Sequence, residues 1–289
     1  MSRNPTRGIW LMVATVFAFA VQDGFSRHLA ETYNTQMVVM VRYWIFAAFV
    51  VVLALRRPEG LAAIRSRRLH WHVLRAVLLV LEICVMVYSY TLIGLIQALA
   101  IFTVCPLFVV AMSGPILGER MSLSRWLAVA FGCVGVLVIL RPGAGVFTWA
   151  ALLPVLSAFM FALYSVLTRL TTRDEPFFAA FFWPPIIGAV LITLVGLPHW
   201  QPVSAPLDWV FLAAYGANSV LSNWLLQKTY EAAEASVVQP FAYLQIVFVT
   251  VIGIMVYGEV LRLNIVIGAG IVVLAGLYAL TVARKEAKA

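Results

Sequence analysis

Of the chain's 289 residues, 63% are hydrophobic and only 11% charged, with a mean hydropathy of +0.98. A soluble domain carries about 25% charged residues, so that class is excluded. The net charge of +8 sorts by loop rather than forming a patch, which argues against a nucleic-acid partner and for a lipid bilayer.

Apolar runs long enough to cross a bilayer as helices lie at roughly 8–28, 35–55, 71–92, 97–117, 122–140, 147–168, 176–196, 207–227, 235–257 and 263–283. The first follows Arg3 and Arg7 but is too long for the apolar region of a signal peptide, so it reads as a span. With the N-terminus inside, sixteen arginines and lysines fall on the inner segments, and only Arg27, Arg141 and Arg262 on the outer ones. That bias places both termini in the cytoplasm. Cys84, Cys105 and Cys133 lie within apolar runs at no metal-ligand spacing, so neither a disulfide nor a metal site is expected.

The halves resemble one another across a turn-rich break at Arg141-Pro142-Gly143-Ala144-Gly145. Phe17-Ala18-Phe19-Ala20 leads to Phe25-Ser26-Arg27, and Phe159-Met160-Phe161-Ala162 leads to Leu167-Thr168-Arg169. Gly118-Glu119 recurs as Gly258-Glu259. We read two repeats, 1–142 and 143–289, and because five spans is an odd number the second must be inverted. Inverted repeats recur in secondary transporters, with the substrate near the midplane between the halves.

With those segments, Pro106 and Pro240, the chain resembles the EamA type of the drug/metabolite transporter superfamily, and most of all bacterial exporters of aromatic and other neutral amino acids. The resemblance implies an all-α polytopic protein of ten helices in two inverted repeats around a central cavity. The first, third, fourth, sixth, eighth and ninth spans would line it. It also implies a bacterial inner membrane and alternating access, with no cofactor, metal or catalytic residue. Pro106 lies 13 residues before Glu119 but Pro240 lies 19 before Glu259, so correspondence in the ninth span is loose.

Polar residues inside the spans are the candidate site. Asp23 and Arg42 fall at the same depth in neighbouring spans and read as an ion pair, or as a gate or substrate contact. Glu82 lies near the midplane, as a protonatable coupling group or as a carboxyl bonded to another helix. Ser157, Phe161, Tyr164 and Thr168 share a face of the sixth span, and Thr15, Phe19, Gln22 and Ser26 one of the first. Such stripes either wall a cavity or pack helices through hydrogen bonds.

The eighth span is the most polar, with Tyr215, Asn218, Ser219, Ser222, Asn223, Trp224 and Gln227. Gln239 and Tyr243 of the ninth and Tyr88 and Tyr90 of the third complete the expected cavity. Gly132, Gly135, Gly268, Gly270 and Gly276 mark the fifth and tenth spans as scaffold, and Glu119 and Glu259 read as local caps paired with Arg120 and Arg262.

Aromatic surface, neutral polar groups and little fixed charge favour zwitterionic amino acids with broad selectivity. Drug or metabolite efflux and a phosphorylated-metabolite or nucleotide-sugar carrier are the alternatives, the carrier disfavoured because only Arg42 lies well inside. An intramembrane enzyme is disfavoured because His28, His70, His72 and His199 all fall at span ends or in loops. The oligomeric state is not written in the sequence.

Overall fold

The computed structural model describes residues 5–58, 64–66, 68–117, 123–140, 149–172, 177–232 and 241–286. All regular structure among them is helical: α1 (Pro5–Thr32), α2 (Thr35–Leu55), α3 (Leu69–Ile93), α4 (Leu95–Phe102), α5 (Cys105–Leu117), α6 (Leu123–Leu140), α7 (Leu153–Thr172), α8 (Phe177–Gly196), α9 (Pro206–Ala232), α10 (Leu244–Tyr257) and α11 (Leu263–Glu286). Short 3₁₀ turns at Trp149–Leu152 and Leu197–His199 precede α7 and follow α8. Apolar solvent cannot satisfy backbone N–H and C=O groups, so a chain of this composition closes them within helices.

Five helical stretches combine the length and apolarity needed to cross a membrane. Four shorter apolar stretches accompany them, and α9 belongs to neither set. The perimeter is as apolar as the core: Phe131 and Leu137 of α6, Leu194 of α8 and Met255 of α10 are all exposed. That surface suits lipid and not water. The protein is a multi-pass membrane protein.

The expected fourth span is not one helix. It breaks at Thr103–Val104 into α4 and α5, because Pro106 has no N–H to offer the carbonyl of Phe102 and its ring crowds that turn. Leu107 N and Phe108 N both bond to Val104 O, restarting the ladder, while Thr103 Oγ1 donates to Ala100 O at 2.6 Å. Gly94, between α3 and α4, has a φ of +82°, a conformation that side chains rarely adopt.

Tyr33 donates to Asp208, and Asn34 Nδ2 donates to His199 O at 2.8 Å. The end of α1 and the start of α2 therefore meet the end of α8 and the start of α9, and this end is called upper below. At the lower end Trp183 Nε1 donates to Ile64 O at 2.8 Å, and the Arg57 guanidinium lies 3.9 Å over the Phe178 ring.

Within the bundle α1 packs on α9 and α10, α7 on α3 and α5, and α2 on α8. The seam between α6 and α11 is built on glycine. A Cβ at Gly135 would lie 2.7 Å from Gly268 O, and one at Gly268 would lie 2.6 Å from Gly135 O. The two backbones touch there, and Asn264 Nδ2 adds a 3.0 Å bond to Ile139 O. These are the scaffold helices expected from their glycines.

Candidate functional site

The polar stripe of α9 lies against that of α1. Asn218 Nδ2 donates to Ala18 O at 2.7 Å, Ser222 Oγ donates to Gln22 Oε1 at 2.9 Å, and the hydroxyls of Thr15 and Thr229 stand 3.3 Å apart. Gln22, Ser219 and Ser222 are buried. In an apolar setting each such group has to find a partner, and residues spaced by whole helical turns keep the partners in one seam.

Both intramembrane carboxylates are engaged. Asp23 accepts from the Tyr90 hydroxyl at 3.1 Å and from Gln245 Nε2 at 3.0 Å. Glu82 accepts from Ser157 Oγ at 2.7 Å, which links α3 to α7. Asp23 and Arg42 share a depth but form no ion pair with each other, which corrects the pairing expected from sequence. Arg42 turns to α9, where Nε donates to Ser219 Oγ at 2.8 Å and a second nitrogen to the Tyr215 hydroxyl at 3.3 Å.

A second interior arginine escaped the sequence reading. Arg75, six residues inside the start of α3, is only 2% exposed. Its Nε donates to Thr168 Oγ1 at 2.9 Å, and Nη1 lies 3.1 Å from His72 Nδ1 and 3.4 Å from Thr171 Oγ1. An arginine can only donate, so His72 accepts at Nδ1. The signal lay in the hydroxyls of Thr168 and Thr171 at matching depth on α7. The sequence implies an interior with little fixed charge; with Arg75 and Arg42 both inside, that expectation is corrected.

Other expected lining residues spread out. Ser157 and Tyr215 are fully buried, and Asn218, Phe161 and Tyr164 half-buried, with the Phe161 ring centroid 5.8 Å from Tyr164 and 5.7 Å from Phe102. Tyr88 and Trp224 are more open, 46% and 44% exposed. Tyr88 lines a shallow apolar pocket of about 220 Å³ with Thr35, Gln36, Cys84, Val85 and Leu153. Tyr243 stands just before α10 and packs on Gly276 of α11. Gln239, like Glu119, Arg120 and Pro240, lies outside the described residues.

Glu259 is not a local cap. Its two carboxylate oxygens accept from Leu95 N at 2.6 Å and Ile96 N at 2.8 Å, and it pairs with Arg27 rather than Arg262. It thereby satisfies two of the free N–H groups that open α4 and places negative charge at the positive end of the helix dipole. The Arg27 guanidinium also lies 4.2 Å over the Tyr257 ring.

A broken helix, buried acids and arginines, and hydroxyl-rich seams form a polar interior inside an apolar perimeter. The EamA-like transporter family model matches residues 6–141 and again 148–281. The chain belongs to the EamA-like transporter family. Among its curated relatives, a riboflavin transporter of Vibrio cholerae serotype O1 is 30% identical over 280 residues, 95% of this chain and 93% of the relative. An S-adenosylmethionine uptake transporter of Rickettsia prowazekii is 24% identical over 270 residues, 93% and 90% of the two chains. A crystal structure at 15% identity superposes with a TM-score of 0.68 over 97% of this chain and 99% of its own, so the two share a fold.

This EamA-like chain is thus a transporter of small molecules. The expectation of amino-acid export is overturned, because the substrates in these relatives' names are riboflavin and S-adenosylmethionine. The error has a physical source. Aromatic walls with neutral hydrogen-bonding groups suit any small planar amphiphile, and nothing in them selects an amino acid.

Proposed function

We propose that this chain carries riboflavin, or a closely similar flavin, across a bacterial inner membrane by alternating access. What carries the reading is the likeness to a riboflavin transporter over 95% of the chain, which takes in every helix of the polar interior. The interior chemistry agrees. A flavin joins a planar ring system to a chain of hydroxyls, and Phe161, Tyr164 and Tyr215 offer rings beside the hydrogen-bonding groups of Gln22, Asn218 and Ser222. The ligand would exchange the bonds these side chains now make with one another for bonds to itself, in a site that other family members could retune by a few substitutions.

The remaining architecture is two inverted five-span repeats, 1–142 and 143–289, with both termini cytoplasmic and the upper end facing out. The reciprocal packing supports it: α1 lies on α9 and α10 as α7 lies on α3 and α5. Cysteines placed at Arg57 and Gln201 test the orientation with an impermeant thiol reagent on intact cells. Labelling is expected at 201 and not at 57; the reverse pattern overturns the assignment.

The substrate is tested by reconstituting the purified protein into liposomes and following flavin fluorescence inside them. Saturable flavin entry, not competed by S-adenosylmethionine, is expected. Entry of S-adenosylmethionine without flavin would sink the reading.

A further inference from the structure

Arg42 and Arg75 have surroundings that repeat one another. Arg42 faces Tyr215 and Ser219 of α9, and Arg75 faces Tyr164 and Thr168 of α7. In each case the tyrosine precedes the hydroxyl residue by one helical turn, so ring and hydroxyl share a face. Guanidinium Nε donates to the hydroxyl at 2.8 Å from Arg42 and 2.9 Å from Arg75. The guanidinium carbon lies 5.6 Å from the Tyr215 centroid in one and 5.3 Å from the Tyr164 centroid in the other.

The two also mirror one another in depth. Arg42 is seven residues past the upper start of α2, and Arg75 six past the lower start of α3. At about 1.5 Å per residue, each stands roughly 10 Å inside its own end. The two interior carboxylates bond elsewhere, Glu82 to Ser157 and Asp23 to Tyr90 and Gln245.

What these arginines lack is as telling as what they hold. Their hydrogen-bond partners are the hydroxyls of Ser219, Tyr215, Thr168 and Thr171 and the imidazole of His72, with no carboxylate among them. Among the described residues neither arginine forms an ion pair, and no acceptor meets the Nη2 group of either. A buried cation with no carboxylate in direct contact is costly, and one meant only to join two helices would do so more cheaply with a carboxylate opposite. A guanidinium presents two parallel N–H donors in a plane, which fits a flat edge bearing two acceptors.

We propose that the two clusters are alternate stations for one group of the substrate, a planar edge with paired hydrogen-bond acceptors. The Arg42–Tyr215–Ser219 station takes it when the upper side is open, and the Arg75–Tyr164–Thr168 station when the lower side is open. The inference rests on the flavin reading, since the flavin ring system carries such an edge: a carbonyl oxygen beside an unprotonated ring nitrogen, both of them acceptors. The adjoining tyrosine lies against the ring plane.

The test is sidedness. Arg42→Gln, Arg42→Lys, Arg75→Gln and Arg75→Lys are expressed at matched levels, and flavin entry is measured in intact cells and in everted membrane vesicles. The lysine variants keep the charge and serve where a glutamine variant folds poorly; melting temperatures of the purified proteins report folding. Variants at Arg42 are expected to raise the half-saturating concentration about tenfold from one side and less than about twofold from the other, with Arg75 variants showing the opposite preference. Equal effects from both sides, as a helix clamp would give, or no effect from either, overturn the two-station assignment. Wild-type membranes that move no flavin in either preparation overturn the substrate reading itself, a result separate from any variant.

Discussion

Glu259 holds Arg27 at the upper end of the bundle, and both side chains are largely withdrawn from solvent, at 14% and 13% exposure. The pair ties the end of α1 to the connection between α10 and α11, and through Leu95 N and Ile96 N the same carboxylate also holds α4. Opening this end requires the contact to yield or to move as one body.

Removing one partner of a buried pair leaves the other charge exposed to a poor solvent, at a cost of about 3–5 kcal/mol. Glu259→Ala is expected to lower the melting temperature in detergent more than Arg27→Ala, because it also strips α4 of its cap. The double variant should fall by less than the sum of the two. Strict additivity would show that the ion pair contributes nothing.

Asp23 and Arg42 answer to different neighbours, and double-mutant cycles should register this. Coupling of about 0.5–3 kcal/mol is typical of residues in contact. Asp23→Asn with Tyr90→Phe, and Arg42→Gln with Ser219→Ala, are each expected to couple more strongly than Asp23→Asn with Arg42→Gln. The reverse order in chemical unfolding would restore the direct pair.

The glycines of α11 are not equivalent. A methyl group at position 268 meets the backbone oxygen of Gly135, which cannot swing aside, whereas nothing lies within 4 Å of a Cβ at Gly270. Gly268→Ala is expected to cost about 1–3 kcal/mol through overpacking. Gly270→Ala should be neutral or stabilising by up to about 1 kcal/mol, the difference in helix propensity. Thermal melts of the two proteins side by side decide it.

The buried hydroxyl of Tyr243 has no hydrogen-bond partner among the described residues. Burying such a group unpaired costs about 1–3 kcal/mol, so Tyr243→Phe is expected to be at least as stable as the parent and to transport as well. Loss of flavin transport with stability intact would give that hydroxyl a role in the substrate path.

Polar residues within apolar runs were legible in the sequence as interior groups: Gln22, Glu82, Ser157, Tyr215 and Ser222 are all buried. Depth along a helix follows from counting residues, but direction around its axis does not. Asp23 and Arg42 match in depth, yet one turns to Tyr90 and Gln245 and the other to Ser219 and Tyr215. Tyr88 and Trp224 are exposed rather than buried, and sequence alone does not set that direction, since an aromatic ring is as much at home against lipid as inside.

Arg75 was hidden by the topology rule, which counts a basic residue near a span end without asking whether it is buried. The break at Thr103 had its mark in Pro106. The partner of Glu259 had none, because Arg27 is brought to it only by the packing of α1 on α10.

The polarity of α9 also bears on how the protein is made. A helix carrying Asn218, Ser219, Ser222 and Asn223, and falling outside the apolar set, gains little by leaving the insertion machinery alone. Its side chains are satisfied by Ala18 and Gln22 of α1 and by Arg42 of α2, which are synthesised long before it. Those early helices are therefore expected to reach their full set of polar contacts only once α9 has emerged. A first half made alone is expected to lack these partners, and its maturation to depend on the second.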